Sequence, residues 1–268
     1  MSAFSRALQA YPTLLRVGFA GALAYRAELL IWMLTTTMPL VSLALWTAVA
    51  ESAPIGRFGA AEFTAYFMAA LIVRQLTGSW LVWEMNMDIR SGSLSQRLLK
   101  PIHPLFVYSA ENLAAIPLRA LLCVPIAALA LAAAGGERFQ AAPAPLAIFA
   151  AALLGAWLLN FFTMALIGSL AFVMESSTAV FQLYLAGFMI FAGYLVPIEL
   201  FPPALREIAA VLPFRYTLAF PVEVLIGLSG PRAALRDLAV QWAYAAATAA
   251  TALWAWRAGV RRFAAFGG

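Results

Sequence analysis

Long apolar segments alternate with short polar segments along this chain. Each apolar segment is about 20 residues long, the length that an α-helix needs to cross roughly 30 Å of hydrocarbon. The polar segments between them hold most of the charged residues, as the loops of a membrane protein do. The pattern therefore predicts an all-α integral membrane protein with six transmembrane helices, which we place at about residues 28–49, 63–83, 105–134, 146–173, 179–196 and 238–256.

Two further segments are too polar or too short to cross. Residues 1–27 mix Arg6, Arg16 and Arg26 with apolar side chains, which predicts an N-terminal interfacial elbow helix whose arginines reach the lipid headgroups. Residues 197–237 contain six prolines and eight charged residues around two short apolar pieces. They predict an external re-entrant helical hairpin before the last span.

Composition and charge support this architecture. Hydrophobic residues make up 64% of the chain and charged residues 11%, which excludes an ordinary water-soluble globular protein. Six spans place both termini on the same side, and that side carries nine Lys and Arg residues against two in the short loops opposite. The excess of positive charge predicts that both termini are cytoplasmic. We expect residues 1–268 to form a single transmembrane domain.

Rare residue types exclude several kinds of site. The chain has one cysteine, Cys123, and one histidine, His103, so it forms no internal disulfide and no two-histidine metal motif. Its single lysine is Lys100, which rules out a glycine-rich phosphate loop with its essential Lys. A membrane enzyme would also need acids, histidines or a nucleophile clustered at membrane depth. We therefore predict no enzyme activity and no cofactor on this chain, and any nucleotide that drives it must bind another polypeptide.

The polar segment at residues 84–104 is the most informative one. Ser93 is placed to cap a short helix over residues 94–99, which Pro101 ends. One face of that helix would carry three leucines: Leu94, Leu98 and Leu99. A short amphipathic helix of this kind either docks in a groove on a soluble partner or lies on the inner leaflet.

Two short motifs carry a family resemblance. They are the run Ile89-Arg90-x-Gly92-x-Leu94-x-x-x-Leu98-Leu99-Lys100-Pro101 and the stretch Leu212-Pro213-Phe214-Arg215-Tyr216 followed by Pro221. Together with the order of the predicted elements along the whole chain, they resemble the membrane subunits of type-2 ABC transporters, the ABC-2 type permease family.

This resemblance implies a location and partners. It implies a permease of the bacterial inner (plasma) membrane that pairs with two separate ATP-binding cassette ATPase subunits, which hold the ATP and Mg, and that dimerises with a second copy or a related permease. Residues 90–101 would be the coupling helix, which the ATPases pull as they close on ATP. The implied contacts with the ATPases are Arg90, Gly92, Leu94, Leu98 and Pro101.

Several unusual residues lie inside the predicted spans. Arg74 in the second span and Glu111 in the third lie at similar heights, so we predict an ion pair between them, with either a structural role or a role in holding a substrate headgroup. Arg119 either snorkels to the surface or faces a polar cavity. Pro117 and Pro125 predict a kink in the third span.

The fifth span and the hairpin offer further candidates. Aromatic residues recur on one face of the fifth span at spacings of three and four: Phe181, Tyr184, Phe188 and Phe191. This stripe either packs against lipid or a neighbouring helix or, because the resemblance places the dimer seam on this span, lines the seam and a substrate path. In the hairpin, Glu199 and Glu223 either gate the outer exit or keep the hairpin hydrated.

Three functions remain open at this point. The first is the permease of an ATP-driven exporter that moves an amphipathic, lipid-like or drug-like molecule outward, because an apolar interior with few fixed charges suits such a cargo. The second is a permease for lipid-linked glycans. The third is a membrane assembly factor of the same fold that transports nothing.

Overall fold

The computed structural model of this chain describes residues 3–34, 36–134, 139–140, 142–174 and 177–263. Residues 1 and 2 of the predicted elbow lie outside this part. The regular structure of the described residues is helical, with one isolated β-bridge between Ile55 and Phe58. The α-helices are α1 (Ala3–Ala24), α2 (Arg26–Leu34), α3 (Met38–Ala50), α4 (Ala60–Thr77), α5 (Leu81–Arg90), α6 (Leu94–Leu98), α7 (Pro104–Ala114), α8 (Ile116–Ala134), α9 (Pro143–Ser169), α10 (Thr178–Phe191), α11 (Pro203–Val211), α12 (Phe214–Thr217), α13 (Ala219–Leu225) and α14 (Pro231–Val260).

Three helical stretches of the described chain are long and apolar enough to cross a membrane. They are Ala60–Arg90, Pro104–Ala133 and Pro143–Phe172, and two shorter apolar helices accompany them, Met38–Ala50 and Thr178–Phe191. The all-helical membrane architecture is thus confirmed. The helix α14 is as long as these stretches but less apolar. Six crossings, the interfacial elbow and the cytoplasmic termini stay predictions.

Two of the predicted spans are broken rather than continuous. The second span consists of α4 and α5, which residues 78–80 separate. The third span breaks at Ala115, because Pro117 lacks an amide hydrogen and its ring crowds the carbonyl of Leu113. Pro125, in contrast, lies inside a continuous α8. The helix is therefore interrupted near one of the two prolines, and the predicted kink itself stays a prediction.

The N-terminal helix packs along another helix. The Tyr11 hydroxyl lies 2.9 Å from the Ser109 hydroxyl, and a Cβ on Gly18 would lie 2.9 Å from the Cβ of Ala114. From the first contact to the second, the residue number rises on both helices, from Tyr11 to Gly18 and from Ser109 to Ala114. The helices α1 and α7 therefore run side by side in the same direction. Gly18 allows their backbones to approach closely at this crossing.

The helix α9 lies at the centre of the molecule, in contact with α14, α5, α13 and α4. The Gln241 side-chain amide on α14 donates hydrogen bonds to the carbonyls of Ala152 (2.9 Å) and Tyr216 (2.8 Å). This single buried side chain therefore joins α14, α9 and the segment before α13. A Cβ on Gly155 would lie 2.6 Å from the Gln241 amide oxygen, so the glycine makes room for it.

The hairpin contains helices where the sequence predicts them. The helix α11 begins at Pro203, but the second piece splits into α12 and α13 at Leu218. Gly193 has a φ of +76°, a left-handed conformation that ends α10 and that glycine adopts without strain. Its carbonyl accepts a hydrogen bond of 2.8 Å from the Tyr66 hydroxyl. The segment between α10 and the hairpin is thereby fixed to α4.

Candidate functional site

The coupling segment, residues 84–104, comprises the end of α5, the short helix α6 and the loops on either side of α6. The helix α5 ends at Arg90, and Gly92 then adopts a φ of +77°, which reverses the chain before α6. Ser93 does not cap α6 as predicted, because its hydroxyl donates to the Asp88 carboxylate at 2.8 Å. The sequence could not anticipate this bond, which depends on the turn at Gly92.

The three leucines of α6 do not share an outward face. Leu94 is fully buried among this chain's own residues, Leu98 is half-buried, and Leu99 is 87% exposed. Leu94 belongs to the core that includes Ile89 and Tyr108. The prediction that Leu94 touches the ATPase is therefore wrong in this structure, and Leu94 instead holds α6 in place. Several residues of the segment are exposed, and we call five of them, which lie on and around α6, the coupling surface: Arg90, Gln96, Leu99, Lys100 and Pro101.

A network of charged side chains lies behind the coupling surface. The Arg97 guanidinium contacts the Asp88 carboxylate at 2.8 Å and the Glu111 carboxylate at 3.1 Å. The Tyr108 hydroxyl donates to Asp88 at 2.6 Å, and the Arg97 guanidinium lies 4.4 Å from the centre of the Tyr108 ring. Burial lowers the pKa of Arg97, but Glu111 and Asp88 raise it by more, so it is raised overall. Arg97 thus ties α6 to both α5 and α7.

This network corrects the predicted ion pair between Arg74 and Glu111. Glu111 is bound by Arg97 instead, and no acid among the described residues forms an ion pair with Arg74. The Arg74 guanidinium lies over the ring of Phe188, 4.9 Å from its centre. The prediction used only the heights of Arg74 and Glu111 along their helices. In the structure, α4 turns the face that carries Arg74 toward α10, while the Glu111 side chain turns toward the coupling segment. One-dimensional spacing does not specify these rotations.

Arg119 faces a cavity, one of the two alternatives that the sequence leaves open. Its side chain is 8% exposed, and its guanidinium donates to the Gly78 carbonyl at 2.9 Å. A small cavity of about 60 Å³ lies beside it, which Arg74 also lines. Two arginines therefore meet at the break between α4 and α5.

The aromatic stripe on α10 lies against this chain. Phe181 and Phe188 are buried, while Tyr184 and Phe191 are half-buried against Phe214, at ring distances of 5.4 and 6.5 Å. These are the contacts of packing within one chain. The exposed face of α10 is a different one: Ala179, Gln182, Leu183, Ala186 and Ile190.

A second charged network holds the hairpin. The Arg215 guanidinium contacts Glu223 at 2.7 Å and Asp237 at 3.0 Å, and all three side chains are largely buried. Burial raises the pKa of the Glu223 carboxyl, and Arg215 lowers it in part. Glu199 pairs instead with Arg57 through a bond of 2.9 Å. Glu223 is therefore buried in a network and does not hydrate the hairpin, whereas Glu199 is 40% exposed beside Arg57, so its role stays a prediction. Sequence spacing held no signal for the Arg215–Asp237 pair, because the two residues lie on separate elements.

The family comparison extends over nearly the whole chain. The family model described as ABC-2 family transporter protein matches residues 30–267. The chain belongs to the ABC-2 transporter family. No curated protein and no solved structure matches it. Both the coupling surface and the arginines at the break between α4 and α5 lie within the matched residues.

Membership of the ABC-2 family indicates which component of a transporter this chain is. An ABC-2 chain is the membrane component of a transporter, and the family implies that it works with ATP-binding cassette subunits. Such components are normally not themselves catalytic. Within the described ranges, no group of three or more His, Cys, Asp or Glu side chains is arranged to hold a metal ion.

Proposed function

We propose that this chain is the permease subunit of an ATP-driven exporter of the bacterial plasma membrane, which moves an amphipathic, lipid-like or drug-like molecule outward. Two ATPase subunits bind the coupling surface and supply ATP hydrolysis. The observation that supports this proposal is the attachment of the coupling surface to α5 and α7. The exposed residues, which include Leu99, lie on and around α6. Leu94 and Arg97 fix α6 to α5 and α7.

This attachment gives a route for mechanical force. Because Arg97 bridges Asp88 on α5 and Glu111 on α7, a pull on α6 moves both helices together. Those helices lead into the two broken spans, whose interruptions lie at residues 78–80 and at Ala115. Helix interruptions bend more easily than continuous helices. The ATPase stroke would thus rotate the inner halves of both spans against their outer halves and open the path for the cargo.

A second permease completes the transporter. The exposed face of α10 carries two large apolar residues, Leu183 (76% exposed) and Ile190 (52% exposed). It also carries two small ones, Ala179 and Ala186. Small residues among apolar ones allow membrane helices to approach closely. We therefore place the seam with a second copy, or with a related permease, on this face. The aromatic stripe faces inward and does not favour a glycan channel at the seam.

The test of this function is a pull-down from membranes in mild detergent. A tagged wild-type chain should retain an ATP-binding cassette subunit, identified by mass spectrometry and by ATP hydrolysis of the complex. Leu99→Asp and Arg90→Glu should each lose most of it, because both residues lie on the coupling surface. Leu235→Asp is the matched control, since Leu235 is also exposed, at 56%, but lies on α14.

Leu94→Asp is unsuitable here because Leu94 is fully buried, so its loss would unfold the segment rather than test contact. Full retention of the ATPase by both coupling-surface variants would reject the assignment. ATP hydrolysis by the purified chain alone would reject the function itself.

A further inference from the structure

The break between α4 and α5 concentrates positive charge inside the second span. The Gly78 carbonyl, which the break frees, accepts its hydrogen bond from Arg119 on α8. The helix α5 begins at Leu81, whose amide donates to the Ser79 hydroxyl at the same break. The N-terminus of a helix carries partial positive charge. Two guanidinium groups and a helix N-terminus thus meet in one place.

These two arginines form no ion pair with an acid among the described residues. The Arg74 Nε is buried and has no hydrogen-bond partner, although the guanidinium lies over Phe188. Arg119 is more than nine-tenths buried. Glu84, which borders a neighbouring cavity together with Arg119, acts on it through its charge without an ion-pair contact. Charged side chains at membrane depth are costly and mark functional sites.

Three cavities lie beside this pair. A wide cavity of about 600 Å³ has an apolar wall on α1 and a charged wall that includes Lys100 of the coupling segment, and it reaches Arg119. The cavity of about 60 Å³ lies between Arg119 and Arg74. A third, of only about 10 Å³, lies between Arg74 and Phe188 on the aromatic stripe and is too small for a headgroup. Trp80 borders all three, so they are neighbours at the break between α4 and α5.

We propose that Arg74 and Arg119 bind the oxyanion group, a phosphate or carboxylate, of an amphipathic molecule at the break in the second span. The planar guanidinium matches both oxyanions with paired hydrogen bonds, and the free Nε of Arg74 supplies one such donor. The small cavity exceeds the space that one water molecule needs. The apolar wall of the wide cavity accommodates the acyl part. This inference rests on the proposed transport of an amphipathic cargo and narrows that cargo to anionic molecules.

The test measures ligand-induced thermal stabilisation of the full-length chain in a neutral detergent. The probes are phosphatidylglycerol, phosphatidylcholine, oleate and inorganic phosphate. Phosphatidylglycerol should raise the Tm of the wild type and phosphatidylcholine should not, because its headgroup is neutral overall. Arg74→Gln and Arg119→Gln should each weaken the apparent affinity for phosphatidylglycerol by about tenfold or more. Arg232→Gln and Arg262→Gln, at exposed arginines, should leave it unchanged.

A further variant and the remaining probes distinguish the possible ligands. Arg74→Lys keeps the charge but loses the paired bonds, so it should fold and bind with intermediate affinity. Stabilisation by oleate identifies a carboxylate as sufficient, and stabilisation by inorganic phosphate identifies a free oxyanion as sufficient; each supports the site. Equal stabilisation by both phospholipids, or unchanged affinity in both Gln variants, overturns it. The measurement uses the permease alone, so its result is independent of whether the pull-down finds an ATPase.

Discussion

Arg97 is the residue on which the geometry of the coupling segment depends most. It contacts acids on both flanking helices, and its guanidinium lies over Tyr108. The sequence identifies Arg97 only as a basic residue on a short amphipathic helix. Its partners could not be predicted, because the turn at Gly92 sets the direction in which α6 presents its side chains. The same uncertainty produced the incorrect pairing of Glu111 with Arg74.

A double-mutant cycle tests the corrected pairing. Arg97→Gln and Glu111→Gln should each lower the Tm, and the loss in the double variant should be smaller than the sum, with a coupling of about 0.5–3 kcal/mol. The side chains are partly exposed, which places the value toward the lower end. Thermal unfolding in detergent provides the measurement. The control cycle, Arg74→Gln with Glu111→Gln, should be additive, and coupling in that cycle instead would restore the original pairing.

At the scale of the element, the short helices show what the sequence can specify. Helix α6 ends at Leu98, one residue from its predicted end, because proline and helical periodicity are local signals. The inward direction of Leu94 and the division of the second span at residues 78–80 are not local. They depend on which neighbouring side chain fills which space, and Arg119, about 40 residues further on, satisfies the carbonyl at the break.

His103 caps the N-terminus of α7, so we expect the stability of the folded protein to depend on pH. The His103 Nδ1 accepts a hydrogen bond of 3.2 Å from the Leu105 amide. Burial and then the nearby Arg257 lower the pKa of His103 below 6.5. Because the pKa of His103 is lower in the folded state than in the unfolded state, the neutral imidazole stabilises the folded protein above pH 6.5. This stabilisation is lost as the pH falls through the pKa of the folded state.

We therefore expect the wild-type Tm to fall on acidification below pH 6.5 more than that of His103→Asn. Asparagine caps a helix at any pH, so this variant keeps the bond that the protonated histidine loses. Thermal unfolding between neutral and mildly acidic pH gives both curves. Parallel curves would show that the cap does not titrate.

At the scale of the whole molecule, the hydropathy pattern predicts the class of fold but not its internal arrangement. Blocks of about 20 apolar residues are sufficient to indicate membrane helices. The close contact of α1 with α7 is different, because it depends on the absence of a side chain at Gly18. Likewise, the two faces of α10 are both apolar, so the sequence could not show that Phe188 faces inward and Leu183 outward.

Disulfide cross-linking tests the seam that we place on the exposed face of α10. In a Cys123→Ala background, Leu183→Cys or Ile190→Cys should yield an oxidised species of twice the 28.8 kDa mass in native membranes. The matched control is Ala192→Cys, since Ala192 is fully buried and its thiol cannot reach another chain. A monomer at both exposed positions would place the homodimer contact elsewhere.

The contact at Gly18 has a practical consequence for watching this transporter work. Since the first helix abuts the helix that leaves the coupling segment, a displacement of one carries the other along. Phe19, which is 39% exposed on that first helix and is not part of the coupling surface, offers a position for a fluorophore. Such a dye would serve as an optical gauge of how far the paired helices move during the transport cycle.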